Sequence, residues 1–503
     1  MGIILAVVIY EIVSIGGISW YLYSKEKHAI EGDEFLSSGR KLTPMLAGIA
    51  SGLALLGTVH IFGMMEMAWN VGAVAVWWGI ATVLTLCVVC LATGRWVRRT
   101  GCLTVPELID KLFGPKIRLA CSCIIAVQTF AIMTLETQGL GIIMHTLSEN
   151  SVSIQTGAII GGIAGLCYVA LAGMKEVAWV NVINIVVIYG GLALAVIFLG
   201  LNIPGGWNGV GDHYAARNQS YMLSLFGDTG MLWTFALGMV VASVFAQGIS
   251  QMGLHSSLSA ESEKAVRKSL WWASLVAGLF GIFSVGIGLA AKSLVETGVV
   301  QVPAEIAAKT AGTTMLLQFL PPWLMAVLIA GFLGAVLSTF AITCLSLAAI
   351  FTKDIYCSIR NPNASPALQT KVSRLVMVAA IVVAVAASSS LPPIGEGAAW
   401  VMAWLCPIFW NVIFGLFWKR SRTAAGWTFA LTWIVLVLWS FTPLPVTLGI
   451  GHLPTSYAAL AVTLAAGIGL NLALPGEPAL FRERATEKET AAEGELAIQG
   501  KQA

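Results

Sequence analysis

Gly331-Phe-Leu-Gly-Ala335-Val-Leu-Ser338-Thr339-Phe340 lies inside an uncharged run, 322–351. That run exceeds the ~20 residues a helix needs to cross a bilayer. Two hydroxyls one turn from an alanine are poorly suited to face lipid. They fit if Ala335, Ser338 and Thr339 turn inward and their oxygens hold a small, hard cation. The alternative is that both hydroxyls bond back to their own helix.

Composition places this run among others like it. Charged residues are 11% and hydrophobic residues 57% of the 503, whereas roughly a quarter of an ordinary soluble domain is charged. The solvent must be lipid. The apolar runs are continuous rather than alternating, which excludes a closed barrel. Thirteen candidate spans are expected, at 2–24, 44–68, 72–94, 119–146, 153–172, 177–201, 230–251, 269–291, 322–351, 373–391, 397–417, 424–442 and 455–475. The first lacks a basic start and a cleavage signature and runs into Lys25-Glu-Lys27. It reads as a retained helix with its N-terminus outside.

Loop charge agrees with this count. All 28 lysines and arginines except Arg217, Lys292 and Lys309 fall on alternate loops or the C-terminal tail. Basic loops stay cytoplasmic because they resist translocation. The expected location is therefore the inner (plasma) membrane, multi-pass, with the C-terminus inside. Topology accounts for the basic residues, so no nucleic-acid partner is expected, and no obligate protein partner is visible. Cys87-Val-Val-Cys90 has metal-like spacing but sits in an apolar run and reads as core. No cofactor is expected.

Spans two to six and seven to eleven make two sets of five, and an odd number inverts the second set. Span two carries Gly52, Gly57 and Gly63, and span seven carries Gly238 and Gly248. Broken helices at matching places point to a midplane transport site, although glycine also serves close packing. The expected fold is an all-α polytopic membrane protein with a five-plus-five inverted-repeat, leucine-transporter-like core. The expected division is 1–43, a peripheral helix and loop; 44–201, the first repeat; 202–229, an external loop; 230–417, the second repeat; 418–475, two peripheral helices; and 476–503, a solvated cytoplasmic tail. The external loop reads equally as a cap over an entrance or as an ordinary connection.

Five short motifs resemble the sodium:solute symporter family: Phe35-Leu-Ser-Ser-Gly39-Arg40-Lys-Leu42-Thr-Pro44; Leu103-Thr-Val-Pro106-Glu107-Leu-Ile-Asp-Lys-Leu-Phe113-Gly114, read as a loop; Gly173-Met-Lys-Glu-Val-Ala-Trp179; Thr352-Lys-Asp354-Ile-Tyr356; and Gly415-Leu-Phe-Trp418-Lys419-Arg420 with Ala425-Gly426. Their order and spacing cover residues 35–426. The resemblance implies sodium-driven import of a small organic solute by alternating access, with the site between spans two, three, seven, nine and eleven. It also implies a sodium site made by the carbonyls of Leu53, Leu56 and Ala335 and the hydroxyls of Ser338 and Thr339. One departure stands out. Where the family commonly has an Asp, this chain has Asn181, in Trp179-Val-Asn-Val-Ile-Asn184. That puts the ion path or a second ion in question.

Other polar residues inside the apolar runs are candidates because the membrane tolerates few of them. His60 and Thr58 lie in span two, Trp78 in span three, Glu136 and Gln138 in span four, and Gln247 in span seven. His60 could bind an anionic solute or carry a proton, or be a packed core histidine. Trp77 and Trp78 read as stacking or as packing residues. Glu136 needs a partner or a proton and joins Asn181 as an ion-path candidate. Glu66 reads as reaching water, and Glu11, on the peripheral helix, as facing an interface. Val59 and Gly79 stand where a sugar transporter would carry polar groups, which disfavours a sugar.

The expected function is therefore sodium-coupled symport of a small organic solute, with carboxylates and amino acids the first classes to consider. A proton-coupled symporter using His60 or Glu136 and a membrane solute sensor are the alternatives. No nucleophile elbow, carboxylate pair or zinc motif supports an enzyme.

Overall fold

The computed structural model describes residues 2–26, 38–171, 174–388 and 393–483. Phe35–Ser37 and Gly173 of the motifs, and the tail from 484 onward, lie outside them. Among the described residues almost everything is helical, because lipid offers backbone groups no other partner. In chain order the helices are α1 (Gly2–Tyr21), α2 (Pro44–Leu56), α3 (Met64–Val71), α4 (76–100), α5 (Val105–Phe113), α6 (Pro115–Leu147), α7 (Ile154–Leu171), α8 (Met174–Asn202) and α9 (Gly206–Ala216). They continue as α10 (Leu232–Gln247), α11 (Gln251–Leu258), α12 (Glu263–Glu296), α13 (Ala307–Phe319), α14 (Pro322–Arg360), α15 (Pro366–Ala387), α16 (Ile394–Trp418), α17 (Arg422–Phe441) and α18 (Thr455–Ala473).

Ten helices among the described residues are long and apolar enough to span a membrane, and the pair α10–α11, bent by 50°, makes an eleventh. The thirteen expected from sequence count α2–α3 as one span, include α7, and separate α3 from α4. Packing supports that separation. A Cβ on Gly48 would lie 2.4 Å from the Ser269 carbonyl, one on Gly52 2.7 Å from Val276, and one on Gly288 2.5 Å from the Met65 carbonyl. Residue numbers rise together, so α2–α3 runs parallel to α12. On α4, Gly79 faces Gly281 and Cys90 Sγ lies 3.5 Å from Ser269 Oγ, so α4 runs antiparallel to the same helix. The chain therefore reverses at Gly72, whose φ is +79°.

A second group packs around α14. Gly331 and Gly334 of α14 meet Ile188 and Asn184 of α8, and Gly165 of α7 meets Phe340. Gly141 and Gly161 bring α6 and α7 together, and Gly162 meets Val385 of α15. Of the glycines expected to interrupt helices, Gly57 and Gly248 lie at breaks. Gly52, Gly63 and Gly238 instead admit Val276, Ile394 and Pro454 at close range, so close packing explains those three.

Two readings of loops are corrected. Leu103–Gly114 holds a helix, α5, with a reciprocal cap: Thr104 Oγ1 accepts the Glu107 N–H at 3.1 Å and Glu107 Oε2 accepts the Leu103 N–H at 2.7 Å. Thr-x-x-Glu ahead of an apolar run is a capping box. The tail also begins docked rather than solvated. β1 (Lys419–Arg420) pairs antiparallel with β2 (Glu477–Pro478), Arg420 reaches Glu483 at 2.7 Å, and Phe481 packs on Phe417.

The segment 202–229, expected to be an external loop, folds as α9 and a short turn that lies over Gly72. Tyr214 Oη donates to the Leu289 carbonyl at 2.9 Å and Trp77 Nε1 to the Leu225 carbonyl at 2.8 Å. A Cβ on Gly72 would lie 2.5 Å from the Met222 carbonyl. Gly72→Ala should lower Tm in detergent, because φ +79° with ψ −153° is a conformation essentially restricted to glycine, a strain of about 1–3 kcal/mol. An unchanged Tm would show that the reversal does not depend on this glycine.

Candidate functional site

The site starts where α2 stops. Gly57, with ψ −150°, takes the chain out of helix after Leu56. A helix end leaves its last four carbonyls without intrahelical partners; here these run from Leu53 to Leu56. The Thr58 N–H donates to Glu136 Oε2 at 2.8 Å. A Cβ on Gly57 would lie 2.5 Å from both Glu136 carboxylate oxygens. The carboxylate of α6 thus occupies the space left by the missing side chain, at the start of the next helical turns, where a negative charge is favoured. Thr58 Oγ1 also approaches the Glu136 carbonyl at 3.5 Å. Thr58 and Glu136 are therefore parts of the break itself.

The oxygens freed by the break meet α14. Thr339 Oγ1 donates to the Leu53 carbonyl at 2.9 Å and to the Ala335 carbonyl at 3.2 Å. One hydroxyl joins two of the three candidate carbonyls. Ser338 is fully buried and its Oγ has no partner. Leu56 is fully buried beside the break. Carbonyls and hydroxyls without a net charge suit a monovalent hard cation. The simple back-bonded reading of Thr339 is too narrow, because its hydroxyl also crosses to another helix.

Asn181 lies deeper on α8. The pairs Ile188–Gly331 and Asn184–Gly334 set an antiparallel register that puts Asn181 level with Ser338. Asn181 is fully buried, and neither end of its amide has a partner.

Around the other side of the break, His60 Nε2 lies 2.8 Å from Thr82 Oγ1, and that hydroxyl donates to the Trp78 carbonyl at 3.0 Å. A hydroxyl has one proton to give, so His60 Nε2 donates and Nδ1 is the ring's acceptor. That Nδ1 is buried without a partner, as are Trp78 Nε1 and Gln138 Oε1. The His60 and Trp78 rings lie edge to face at 6.1 Å. Gln247 ends α10, and its Oε1 accepts weakly from Ser243 Oγ at 3.4 Å, which in turn meets Thr85 Oγ1 at 2.9 Å. Thr82 and Thr85 were missed from sequence, where they look like ordinary small residues of an apolar helix.

Glu66 is 3% exposed, and its Oε2 accepts the Ile394 N–H at 2.8 Å, capping α16. Beside it opens a cavity of about 630 Å³ lined by Glu66, Asn70, Glu396, Trp400 and His452 among others. Glu11, read as facing an interface, has its Oε1 buried.

Several residues of the sequence motifs act as joints between helix ends. Asp354 Oδ1 accepts from Arg118 Nη2 at 2.7 Å and Thr104 Oγ1 at 3.0 Å. Leu42 pairs with the Ser259–Glu261 strand-like turn through bonds of 3.0 and 2.9 Å, and Arg40 reaches the Gly101 carbonyl at 2.7 Å. Gln251 holds the α4–α5 connection through the Val105 N–H at 2.9 Å.

Comparison with known proteins agrees with this geometry. The chain is 23% identical to the monocarboxylic acid transporter of Corynebacterium glutamicum, over 80% of this chain and 76% of that protein. It is 23% identical to the sodium/glucose cotransporter of Vibrio parahaemolyticus, over 84% and 81%, and 23% to the sodium/proline symporter of Haemophilus influenzae, over 78% and 80%. A solved structure of a Na+-coupled sialic acid symporter, in a substrate-bound outward-open state, superposes with a TM-score of 0.78 at 18% identity, covering 95% of this chain and 99% of that one. It shares the fold. The model of the sodium:solute symporter family matches residues 35–431, and the chain belongs to that family.

Proposed function

We propose that this chain is a sodium-coupled symporter that imports a small organic solute by alternating access and catalyses no chemical step. The observation that carries this reading is the Thr339 hydroxyl bridging the Leu53 and Ala335 carbonyls where α2 breaks. Leu53, Leu56, Ala335, Ser338 and Thr339 are the proposed sodium ligands. His60, Trp78 and Gln138 line the proposed solute site, with Thr58 and Gln247 at its edges. Their unpartnered atoms are an acceptor, a donor and an amide oxygen. A solute with both donors and acceptors satisfies them, as an amino acid or hydroxy acid does. None of these side chains carries a fixed positive charge, so a carboxylate would draw its counter-charge from the bound sodium.

The driving force is adequate. One sodium crossing 100 mV yields about 2.3 kcal/mol and a tenfold gradient adds about 1.4 kcal/mol. Proton coupling is the competing reading, and uptake at fixed pH with sodium replaced by choline separates the two. In the proposed arrangement the inverted repeats are 44–201 and 230–417, the chain makes thirteen spans of the plasma membrane, and its N-terminus lies outside.

Replacing both Ser338 and Thr339 with Ala should leave membrane abundance normal. Each lost ligand weakens ion binding on the order of 1.5–3 kcal/mol, roughly tenfold to a hundredfold apiece, so half-maximal sodium should rise by at least about a hundredfold in the double variant, with solute affinity recovering at high sodium. An unchanged sodium dependence in a well-expressed variant would sink the ion site. For His60→Ala, solute affinity should fall while abundance holds, and an unaltered half-saturation concentration would mark His60 as packing. Single cysteines at Lys264 and Lys419 should label only from the cytoplasmic side and one at Lys309 only from outside. External labelling at Lys419 would overturn the span count.

A further inference from the structure

The start of the tail reaches from one packed group of helices to the other. Its near anchor is the end of α16. Arg420 donates from Nε to the Pro478 carbonyl at 2.7 Å and from Nη2 to Glu483 Oε2 at 2.7 Å, with Glu477 Oε2 at 3.5 Å. Ser421 Oγ donates to the Pro475 carbonyl at 2.7 Å. Ala479 and Leu480 are buried, and the Phe481 ring meets the Phe417 ring at 5.4 Å. Paired strands, buried side chains and a shared guanidinium together make a built joint.

The other neighbour of Phe481 is α4. The Arg99 guanidinium lies over its ring at 5.5 Å, and Trp96 meets Phe417 edge to face at 4.7 Å. Arg99 is itself anchored. Its Nε and Nη2 donate to the Glu263 carboxylate of α12 at 3.1 and 2.7 Å, and Arg95 reaches the same carboxylate at 2.7 Å. With its N–H edge committed to Glu263, the planar guanidinium has its flat face left for Phe481.

The two anchors sit on different groups. Arg95 and Arg99 tie the end of α4 to α12. The end of α16 rests instead on α5, where a Cβ on Gly415 would lie 2.9 Å from Phe113 Cζ. α5 is joined to α14 by the Thr104–Asp354 bond of 3.0 Å. Two contacts from α11 cross the same divide: Gln251 Oε1 accepts the Val105 N–H at 2.9 Å, and His255 Nδ1 lies 2.9 Å from Ser346 Oγ.

We propose that residues 477–483 are a latch that holds the cytoplasmic side closed by clasping the ends of α4 and α16. This rests on the alternating-access reading, in which one group of helices rocks against the other. Opening that side parts Arg99 from Phe481. Phe417 and Arg99 are half-exposed, and ring contacts at exposed places are individually weak. The clasp can therefore release on each cycle, while β1–β2 keeps the tail on α16 to close again. The tail thereby sets how much of the time the carrier faces inward.

A buried thiol reports the opening. Ser346, fully buried against His255, is replaced by Cys in a full-length chain whose nine native cysteines are changed to Ala or Ser. Labelling by N-ethylmaleimide is timed on the purified protein with and without sodium. Phe481→Ala and Glu483→Lys should speed labelling several-fold at unchanged Tm. Phe481→Tyr, which keeps the ring, should match the parent. Glu483→Lys carries the test if Phe481→Ala fails to fold. Labelling at the parent rate in every folded variant overturns the latch and leaves alternating access standing. Faster labelling in the variants that is indifferent to sodium supports the latch and overturns sodium coupling. No labelling in any folded form overturns the latch and alternating access together.

Discussion

A carboxylate standing in for a side chain organises the core. Gly57 has no Cβ, and the Glu136 carboxylate lies where one would be. That contact takes up the Thr58 N–H, ends α2 at Leu56, and turns its final carbonyls away from their own helix. Backbone in a membrane interior is irregular only where something else satisfies it. Here the something else is α6 on one side and α14 on the other. A larger residue at Gly57 would displace the carboxylate and the geometry that depends on it.

Two packed groups meet at this point. α2–α3, α4 and α12 approach one another along glycines, and the Leu42–Ala260 bridge and Arg40–Gly101 bond join α2, α4 and α11 at their ends. α6, α7, α14 and α15 form the other group, closed at its end by Asp354 and Arg118. Seams made of backbone against backbone resist sliding. The junction between the groups is different, since it holds the unpartnered Ser338 and Gln138 atoms. Relative movement is least costly where contacts are incomplete.

Much of this was legible in the chain. Apolar runs gave most helix positions within a few residues, since lipid permits little else, but missed the polar ends of α12, α14 and α15. Ser338 and Thr339 stood out because hydroxyls are costly in lipid unless used. Other features were hidden for physical reasons. Glycine alone does not tell a break from a close contact: Gly57 and Gly52 look alike until a neighbour is seen to be Glu136 or Val276. Thr104-Val-Pro-Glu107 carried a capping box that was readable and went unread as a loop. Glu11 was read as facing an interface because its helix is peripheral, yet one side of a peripheral helix still meets the core, and its Oε1 is buried there. Glu477–Glu483 is polar enough to look solvated, and only the position of Arg420 shows what it binds.

Thr339 holds a proton between two carbonyls that a cation would also seek. For a cation to use all three oxygens, the hydroxyl must turn its lone pairs inward and hand its proton elsewhere. That is a rotation about one bond. In the proposed sodium site the same side chain would be a competitor before loading and a ligand after it. Competition of this kind holds binding to a moderate strength, and a carrier that must let go of its ion on every cycle works best with a grip of that order.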